Sequence, residues 1–412
     1  MHAIEKFTAT YIMKKLILML PLLLWGCQPP ASTQDKKTRP VKEVVIDDLK
    51  RPWSMAFVSE YEALVTEKDG DLLKINLQTK ERTVIRGIPE NRVDSVVTKV
   101  EDATSLHYPR GIAAGLKTTF NEGLLDVLVD PDFTSNQRIF LTYVAQGDGG
   151  STTAAISARL VDDTLTNVKT LLLALPFSDG SFHYGGGLTL GADGKLYISV
   201  GDRLFSEALN PPLPYAQDPS DARGMIYRFN LDGSIPEDNP SIQPNALPGA
   251  YAYGIRNVQG LVTNPVSGDI WFTEHGTIQG DEINLLSKGA NYGWPIETTG
   301  RYRAPNFEPV APENVTFTQP RWYWQHTVAP TGPVFYTGNE FPEWENDLLV
   351  PGLSRGSLWR FRIEDETVKS AEELFLDDRV RARKIVQSLE GRLYLLTDAP
   401  DGKIIRIKQA SF

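Results

Sequence analysis

The chain has 412 residues and carries 42 Lys and Arg against 52 Asp and Glu, a net charge of −10. This excess of negative charge argues against a nucleic-acid partner, because a nucleic-acid backbone is itself negatively charged. Hydrophobic residues make up 41% of the chain, which is enough for a large core. Since Cys27 is the single cysteine, an intramolecular disulfide and a cysteine-rich metal site are both excluded.

Residues 1–27 have the pattern of an export signal. A basic start at Met13–Lys15 precedes an apolar run, Leu16–Trp25, that is shorter than a normal membrane span. The run ends in L-W-G-C, which is similar to the lipobox of bacterial lipoproteins and predicts a lipid on Cys27 that attaches the protein to a membrane. Gln28 after the cysteine favours the outer membrane, with the protein on its periplasmic face. The alternative is an ordinary signal peptide with an incidental cysteine.

Residues 28–40 are polar and contain Pro and Lys, which is typical of a flexible tether. Residues 41–412 are predicted to form one folded domain, because β-rich domains often run this long as a single unit. The segment 41–48, V-K-E-V-V-I-D-D, is predicted to be a strand that completes the last unit of this domain.

One pattern recurs six times in this domain: a small residue, a short apolar strand, a polar turn and a second apolar strand. The copies begin near Trp53, Gly123, Gly186, Gln259, Gly332 and Lys384. Six similar hairpins in series predict an all-β fold, a six-bladed β-propeller. A two-sheet sandwich is the alternative, although no connection of Greek-key length is evident. Two insertions, 92–120 and 304–325, are too long for hairpin turns and are predicted to form the rim of a site.

Polar residues concentrate between Tyr253 and Pro295, where Gly-rich turns alternate with short apolar strands. Asp281, Glu282 and Asn284 lie within one turn of chain there, and closely spaced carboxylates and turn carbonyls are typical ligands of Ca²⁺. A solvated surface loop rich in Asp and Gly would have a similar composition. The Trp and Tyr residues embedded in this segment favour a site.

The same segment carries a resemblance to a known family. It contains I-R-N-V-Q-G, then E-H-G-T-I-Q-G-D-E-I-N, then N-Y-G-W-P. This resembles the signature of the soluble aldose sugar dehydrogenases that depend on pyrroloquinoline quinone (PQQ), and the similarity extends from about Arg51 to Ile407. The resemblance implies oxidation of an aldose sugar at C1 to a lactone, with PQQ and Ca²⁺ as cofactors. The electrons would pass to an unidentified acceptor, a quinone or a cytochrome.

His183 is the candidate catalytic base. It lies in H-Y-G-G-G-L, where glycines permit close approach of a flat ligand and a neutral imidazole is able to accept a proton. The residues alone also allow a buried structural histidine. The resemblance implies that His183 takes the proton of the C1 hydroxyl and that Asp202, in the following G-D pair, orients it. The alternative for Asp202 is a strand-end cap.

Arginines form the candidate cofactor site. The resemblance implies that Arg256 and Asn257 contact the quinone edge, where Arg256 would stabilise negative charge on the reduced quinone. It also implies that Arg381 and Arg383 hold cofactor carboxylates, and an R-x-R pair in a strand would place both guanidiniums on one face. A solvated basic edge is the alternative for this pair.

Two calcium sites are implied by the resemblance. The carbonyls of Gly276 and Thr277 would bind the Ca²⁺ that also contacts the cofactor, and Thr277 stands where the family generally has Pro. Glu282 and Tyr292 would hold a second, structural Ca²⁺, with Tyr292 acting through its main chain.

Two departures from the family pattern affect the cofactor site. Asn121 replaces a cofactor-binding Gln, and Ser354 replaces a cofactor-binding Lys. Arg355 follows Ser354 but would point to the opposite face of a regular strand. These departures support a rival hypothesis, a non-catalytic propeller, stabilised by calcium, that binds carbohydrate or a protein partner. A metal-dependent lactonase lacks a matching ligand set in this sequence.

Overall fold

A computed structural model of the chain describes residues 39–68, 70–93, 96–97, 117–118, 122–178, 182–203, 214–302 and 307–410. The predicted export signal with Cys27, most of the predicted tether and the predicted cofactor ligand Asn121 lie outside these residues. In the part of the chain that the structure describes, no helix has the length and apolar character needed to cross a membrane.

The described chain forms six antiparallel sheets of four strands each. The sheets are arranged as a six-bladed β-propeller, so the fold predicted from the sequence is confirmed and the two-sheet sandwich is wrong. Polar turns separate the short apolar strands. In the turn at Ala192–Lys195, for example, Gly194 has φ +70°, a left-handed conformation that glycine adopts at little cost.

The first strand of each blade lies closest to the propeller axis, where it packs against the first strands of neighbouring blades. Blade 1 consists of β2 (Pro52–Phe57), β3 (Glu62–Glu67), β4 (Leu72–Asn76) and β5 (Arg82–Ile85). Blade 2 consists of β8 (Leu124–Val129), β9 (Arg138–Gly147), β10 (Gly150–Val161) and β11 (Thr164–Leu173). Blade 3 consists of β12 (Gly185–Leu190), β13 (Leu196–Val200), β14 (Met225–Phe229) and β15 (Ala250–Tyr253).

The second half of the propeller repeats this order. Blade 4 consists of β16 (Val258–Thr263), β17 (Ile270–Glu274), β18 (Glu282–Leu285) and β19 (Trp322–Tyr323). Blade 5 consists of β20 (Val334–Phe335), β21 (Leu348–Pro351), β22 (Leu358–Glu364) and β23 (Thr367–Leu374). Blade 6 consists of β24 (Ala382–Gln387), β25 (Leu393–Thr397), β26 (Gly402–Gln409) and β1 (Pro40–Leu49).

Minor elements lie in the connections between the blade strands. A separate two-stranded pair joins β6 (Val96–Val97) to β7 (Lys117–Thr118). One α-helical turn, α1, spans Phe133–Asn136, and three short 3₁₀ turns span Tyr215–Gln217, Pro342–Trp344 and Leu376–Asp378.

The N-terminal strand closes the ring. β1 pairs antiparallel with the C-terminal strand β26, from Pro40 opposite Gln409 to Leu49 opposite Gly402. The two ends of the described chain therefore build the outer half of one blade, as the sequence of residues 41–48 predicts. A strand pair of this kind holds the first and last parts of the propeller together through main-chain hydrogen bonds.

The hydrophobic core is divided among the six blade interfaces. Each of the six larger apolar clusters contains buried side chains from two neighbouring blades. Between blades 6 and 1, for example, Met55 and Val65 pack with Leu396 and Ile404. Burial of apolar surface stabilises the fold by about 25 cal/mol per Å², so each blade depends on both of its neighbours.

Hydroxyl groups add a polar link between blades. In four blades, a Ser or Thr of the second strand donates a hydrogen bond to a buried carbonyl at the start of the next blade. The pairs and their O···O distances are Thr66 to Leu125 (2.6 Å), Thr142 to Gly186 (2.6 Å), Ser199 to Val258 (2.8 Å) and, to the segment leading into β20, Thr273 to Thr331 (3.0 Å). These bonds satisfy backbone carbonyls that burial removes from water.

A buried ion pair lies at the propeller axis. Asp126, on β8, is 1% exposed, and its carboxylate accepts hydrogen bonds from Ser54 of blade 1 (2.5 Å), from the Leu188 amide of blade 3 (3.0 Å) and from Lys384 of blade 6 (2.5 Å). One carboxylate therefore connects four blades. A charge buried this deeply requires such pairing.

Candidate active site

The predicted site residues of blades 3 and 4 converge at one end of the propeller. At this end the second strand of each blade ends. The segment that connects the previous blade to the first strand lies at the same end. His183 precedes β12 and Asp202 follows β13, while Arg256 and Asn257 precede β16. Gly276 lies in the loop between β17 and β18. The structure therefore places these five residues in neighbouring loops.

His183 is held in an unusual backbone conformation. Its φ of +53° is left-handed, which is costly for a residue with a side chain and is often found at functional sites. The His183 carbonyl accepts a hydrogen bond from the Arg203 amide. It also lies over Gly201, where a Cβ would be 1.9 Å from the carbonyl oxygen. Only glycine at position 201 permits this close approach.

The His183 ring is paired with a buried carboxylate. Its Nδ1 lies 2.6 Å from Oδ1 of Asp202, and Asp202 is 1% exposed. Burial raises the pKa of Asp202, but its interactions with His183, Arg256 and Trp294 outweigh this and hold the pKa below its ordinary value. Because an ionised carboxylate only accepts hydrogen bonds, Nδ1 must carry the proton, and Nε2 is then the basic nitrogen.

The imidazole of His183 is neutral near physiological pH. Burial, and next the positive charge of Arg256, lower its pKa to about 3, against the opposing effect of Asp202. The pKa of His183 therefore lies well below the ordinary histidine value. A neutral ring is the form that accepts a proton.

Trp294 and Arg256 complete the surroundings of Asp202. The Trp294 indole Nε1 donates to Oδ2 of Asp202 at 2.7 Å, and the Asp202 amide donates to the Arg256 carbonyl at 2.8 Å. Both carboxylate oxygens are thus engaged, one by the histidine and one by the indole. Asp202 orients His183 and also joins blade 3 to blade 4, so it does more than cap a strand.

Arg256 is fixed by the loop that follows β17. Its amide donates to the Glu274 carboxylate, and its guanidinium donates to the carbonyls of His275 (3.1 Å) and Gly276. The guanidinium also lies 5.2 Å from the Trp294 ring centroid, a favourable cation–π distance. A charged group held by several contacts in a buried setting suits stabilisation of developing negative charge.

Asn257 connects two loops of the site. Its side-chain oxygen accepts from the Gly185 amide at 3.1 Å, and its carbonyl accepts from the His275 amide at 3.1 Å. Asn257 therefore ties the His183 segment to the β17–β18 loop.

Asp281 accepts three hydrogen bonds from main-chain amides around the β17–β18 loop. One of its oxygens accepts from the Gly276 amide at 2.8 Å, and the other accepts from the amides of Val328 and Ala329, each at 2.7 Å. This carboxylate therefore ties the β17–β18 loop to the segment that contains Val328 and Ala329. The predicted carbonyl ligands Gly276 and Thr277 lie in the loop that it holds.

Glu274 and Glu282 face each other across β17 and β18. Burial, and next the charge of Glu282, raise the pKa of Glu274 well above its ordinary value, and burial likewise raises the pKa of Glu282. Two carboxylates directly opposite destabilise a sheet unless a proton or a cation lies between them. The chemistry of this pair therefore fits a hard cation.

Tyr292 lines the same cavity as Glu274 and Glu282. Its hydroxyl donates to the Leu285 carbonyl at 2.7 Å, so the side chain is already engaged and a ligand from this residue would come from the main chain. Among the described residues, no group of three or more His, Cys, Asp or Glu is placed to hold a metal ion. A cation here would therefore need carbonyl or water ligands as well.

Arg381 and Arg383 meet on one carboxylate of blade 6. Their guanidiniums lie 2.7 Å and 3.0 Å from Oδ2 of Asp398. Arg383 is on β24 and 2% exposed, whereas Arg381 precedes that strand and is half exposed, so the expectation that both belong to one strand is wrong. Arg383 also donates to Gln259 at 2.7 Å. Its buried Nε has no hydrogen-bond partner in the described part of the chain, which fits an additional anionic ligand.

Ser354 lies in a turn after β21 and not in a strand. It lines a cavity of about 520 Å³ together with Arg355, Leu376 and Arg379. The expectation that Arg355 points away from Ser354 is therefore wrong, because both residues face one cavity. Arg355 is paired with Glu373 at 2.9 Å.

Most of the chain matches one protein family. The model of the glucose/sorbosone dehydrogenase family matches residues 49–406. The chain belongs to this family. The family predicted from the sequence is thereby confirmed.

Two curated relatives match most of the chain. Aldose sugar dehydrogenase YliI of Escherichia coli is 32% identical over 372 residues, covering 89% of this chain and 92% of the relative. Quinoprotein glucose dehydrogenase B of Acinetobacter calcoaceticus is 26% identical over 434 residues, covering 87% of this chain and 85% of the relative.

Solved structures of glucose/sorbosone dehydrogenases superpose on the propeller. A crystal structure of a glucose dehydrogenase has a TM-score of 0.77 at 34% identity and covers 90% of this chain and 100% of that chain. The apo-form of the soluble aldose sugar dehydrogenase of Escherichia coli has a TM-score of 0.76 at 29% identity, with the same coverage.

Three residues of this candidate site were not predicted from the sequence. Trp294, Gln259 and Asp398 were assigned no role, yet each contacts a predicted site residue. A signal was present for Asp398, because T-E-K, T-E-H and T-D-A recur at the ends of β3, β17 and β25. The acid of each repeat occupies the same position in its blade.

Proposed function

We propose that the protein is an exported quinoprotein dehydrogenase that oxidises aldose sugars at C1 to lactones, with PQQ and Ca²⁺ as cofactors. The observation that carries this proposal is the pairing of His183 Nδ1 with Asp202 at 2.6 Å. That pairing leaves Nε2 as the basic nitrogen, and the positive charge of Arg256 acts on the same ring.

The proton transfer is assigned to His183. Nε2 of the neutral ring takes the proton of the sugar C1 hydroxyl, while Asp202 holds the ring and stabilises the imidazolium that forms. Arg256 contributes a fixed positive charge close to the reacting groups. The C1 hydrogen leaves with both electrons of its bond, so the sugar loses two electrons and two hydrogens and becomes the lactone. PQQ held by Arg256, Asn257, Arg381 and Arg383 would supply the hydride acceptor.

The cofactor is assigned to the cationic side chains at this end of the propeller. Arg256 and Asn257 would contact its quinone edge, and Arg381 and Arg383 would hold its carboxylates. Asn121 is proposed as a further ligand. The support from the structure is the buried guanidinium of Arg383, whose Nε has no partner in the described residues. A polycarboxylate matches such a donor set.

Calcium is assigned to two places. The carbonyls of Gly276 and Thr277 would hold one ion beside the cofactor. Glu282 and the main chain of Tyr292 would hold a second ion, which would relieve the repulsion between Glu282 and Glu274. The raised pKa values of these two carboxyl groups support that second site.

Export and membrane attachment remain part of the proposal. A lipid on Cys27 would place the propeller on the periplasmic face of the outer membrane, where a membrane quinone or a cytochrome is available as electron acceptor. Comparison of intact protein with Cys27→Ser tests the attachment. Release of the variant into the soluble fraction supports it, and equal partitioning of both forms contradicts it.

Reconstitution tests the enzymatic assignment. Purified protein is loaded with PQQ and Ca²⁺, and reduction of an artificial dye is followed with a broad panel of aldoses. Binding of PQQ with turnover of at least one sugar is expected. Ser354, which replaces a cationic residue of the family, favours the rival non-catalytic propeller. Failure to oxidise any aldose after saturation with both cofactors would support that rival.

A further inference from the structure

Lys68 is a buried cation that the proposed reaction does not use. It follows β3 in blade 1, is 2% exposed, and its amide donates to the Arg51 carbonyl at 3.1 Å. Burial of a lysine is costly unless a negative charge is close. Its Nζ lies 3.9 Å from Oδ1 of Asp398.

Cations outnumber acids around Asp398. Lys68 approaches one carboxylate oxygen, while Arg381 and Arg383 both contact the other. Burial raises the pKa of Asp398, but the positive charges of Lys68 and the two arginines outweigh this and hold it below its ordinary value. Glu122 is the second acid that acts on Lys68. Within the described residues, three cations therefore share the carboxylate of Asp398.

The internal symmetry of the propeller places Lys68 opposite the catalytic blades. Blade 1 reads T-E-K at Thr66–Lys68, and blade 4 reads T-E-H at Thr273–His275. In both blades the Thr hydroxyl donates to a carbonyl of the next blade. In both, the Glu accepts the amide of the segment entering its own blade, from Lys50 in blade 1 and from Arg256 in blade 4.

Lys68 therefore occupies in blade 1 the position that His275 occupies in blade 4. The His275 carbonyl accepts from Arg256, so this position lies beside the site in blade 4. By the same symmetry Lys68 lies at the site from the opposite side, next to Arg383.

We propose that Lys68 is a cofactor-anchoring residue, which binds a carboxylate of PQQ together with Arg383. This inference rests on the proposed function. Lys68 would supply, from blade 1, a positive charge that Ser354 does not supply from blade 5. A carboxylate of the ligand would accept charge-assisted hydrogen bonds from this group of cations, and such bonds are the stronger kind in proteins.

Binding of PQQ to the full-length protein tests the role of Lys68 without an activity assay. PQQ affinity is measured by equilibrium dialysis at saturating Ca²⁺ for wild type, Lys68→Met and Lys68→Arg. Loss of one charged contact is expected to weaken binding by about 10- to 100-fold in Lys68→Met. Lys68→Arg should stay within about threefold of wild type, because it keeps the charge.

A matched control is available in the same blade. Lys74, on β4, is paired with Asp163 at 2.5 Å and is not part of the cation group around Asp398. Lys74→Met should leave PQQ affinity unchanged. Thermal melting of each variant verifies that it is folded.

The pH dependence of binding gives a second, independent readout. Burial, and next the charge of Arg383, lower the pKa of Lys68 to about 8. The other groups facing it are Arg51, Glu122 and Asp398. Arginines stay charged and carboxylates stay ionised between about pH 8 and pH 10. Wild-type affinity should therefore fall as pH rises through this range, whereas Lys68→Arg should show little change.

Each outcome decides the inference. The role of Lys68 would be overturned if Lys68→Met bound PQQ as tightly as wild type does. It would also be overturned if the PQQ affinity of Lys68→Arg fell with rising pH as wild-type affinity does. Either result would leave the proposed function intact. Wild-type protein that binds no PQQ would overturn both. If Lys68→Met fails to fold, the pH dependence of Lys68→Arg decides alone.

Discussion

The indole of Trp294 donates a hydrogen bond to Asp202, and Asp202 in turn holds His183 through its other oxygen. Trp294 lies in the loop after β18, whereas Asp202 follows β13. The orientation of the proposed base in blade 3 therefore depends on a side chain supplied by blade 4. The same indole lies against Arg256, so Trp294 contacts both Asp202 and Arg256.

Trp294→Phe tests this support. Phenylalanine keeps an aromatic ring against Arg256 but leaves one oxygen of a buried carboxylate without its donor, which costs about 1–3 kcal/mol. We expect kcat to fall by about tenfold with little change in PQQ affinity. Trp324→Phe is the matched control, because the Trp324 Nε1 has no hydrogen-bond partner in the described residues. Equal kcat in both variants would contradict the role of Trp294.

His183→Gln tests the base itself. General-base catalysis contributes about 10²–10⁴-fold in rate, so kcat should decrease by that factor. PQQ should still bind, because Arg256, Arg381 and Arg383 are unchanged. Single-turnover reduction of the bound cofactor by sugar separates the two effects. Full activity in the variant would mean that another residue is the base, with His275 the next to test.

The pH profile tests the environment of His183. Its pKa is lowered to about 3, so the ring stays unprotonated when pH falls from about 8 to about 5. The rate of cofactor reduction by sugar should therefore be nearly constant over this range. An inactivation midpoint close to the ordinary histidine value would show that His183 is not desolvated as the structure indicates.

Calcium removal tests the Glu274–Glu282 pair. A ligand that binds only the folded state stabilises it by mass action, so chelation should lower the melting temperature with or without PQQ. Glu282→Gln should reduce this response. The same variant should melt higher than wild type in chelator, since it removes one of two opposed charges. An unchanged melting temperature of wild type on chelation would exclude the structural calcium.

Lys384→Met tests the ion pair at the axis. The substitution leaves the Asp126 carboxylate buried without its cation, which typically costs about 3–5 kcal/mol. We expect a lower midpoint of urea unfolding, with part of the loss recovered in the double variant Asp126→Asn/Lys384→Met. Additive effects of the two substitutions would show that the pair is not energetically coupled.

The fold was predictable from the sequence because its signals are local and repeated. Each hairpin is predicted by an apolar strand, a turn residue and a second apolar strand. Six such copies in series leave few alternatives to a propeller fold. The closing strand was predictable for the same reason. The segment that forms β1 precedes the first hairpin, and the last hairpin has a free edge with which it can pair. The axial ion pair was not predictable, because Asp126 and Lys384 are far apart in the chain.

The family, the six-bladed fold and the segment in which the polar residues concentrate could all be predicted from the sequence alone. Motifs and hairpins are formed by residues that are close together in the chain, so their patterns are visible in the sequence. Only the tertiary structure decided what each polar group does. Asp281 became a loop organiser and Asp398 a shared partner of three cations through contacts between distant segments. The lowered pKa of His183 has the same origin, since burial and the nearby charge of Arg256 exist only after blades 3 and 4 have packed together.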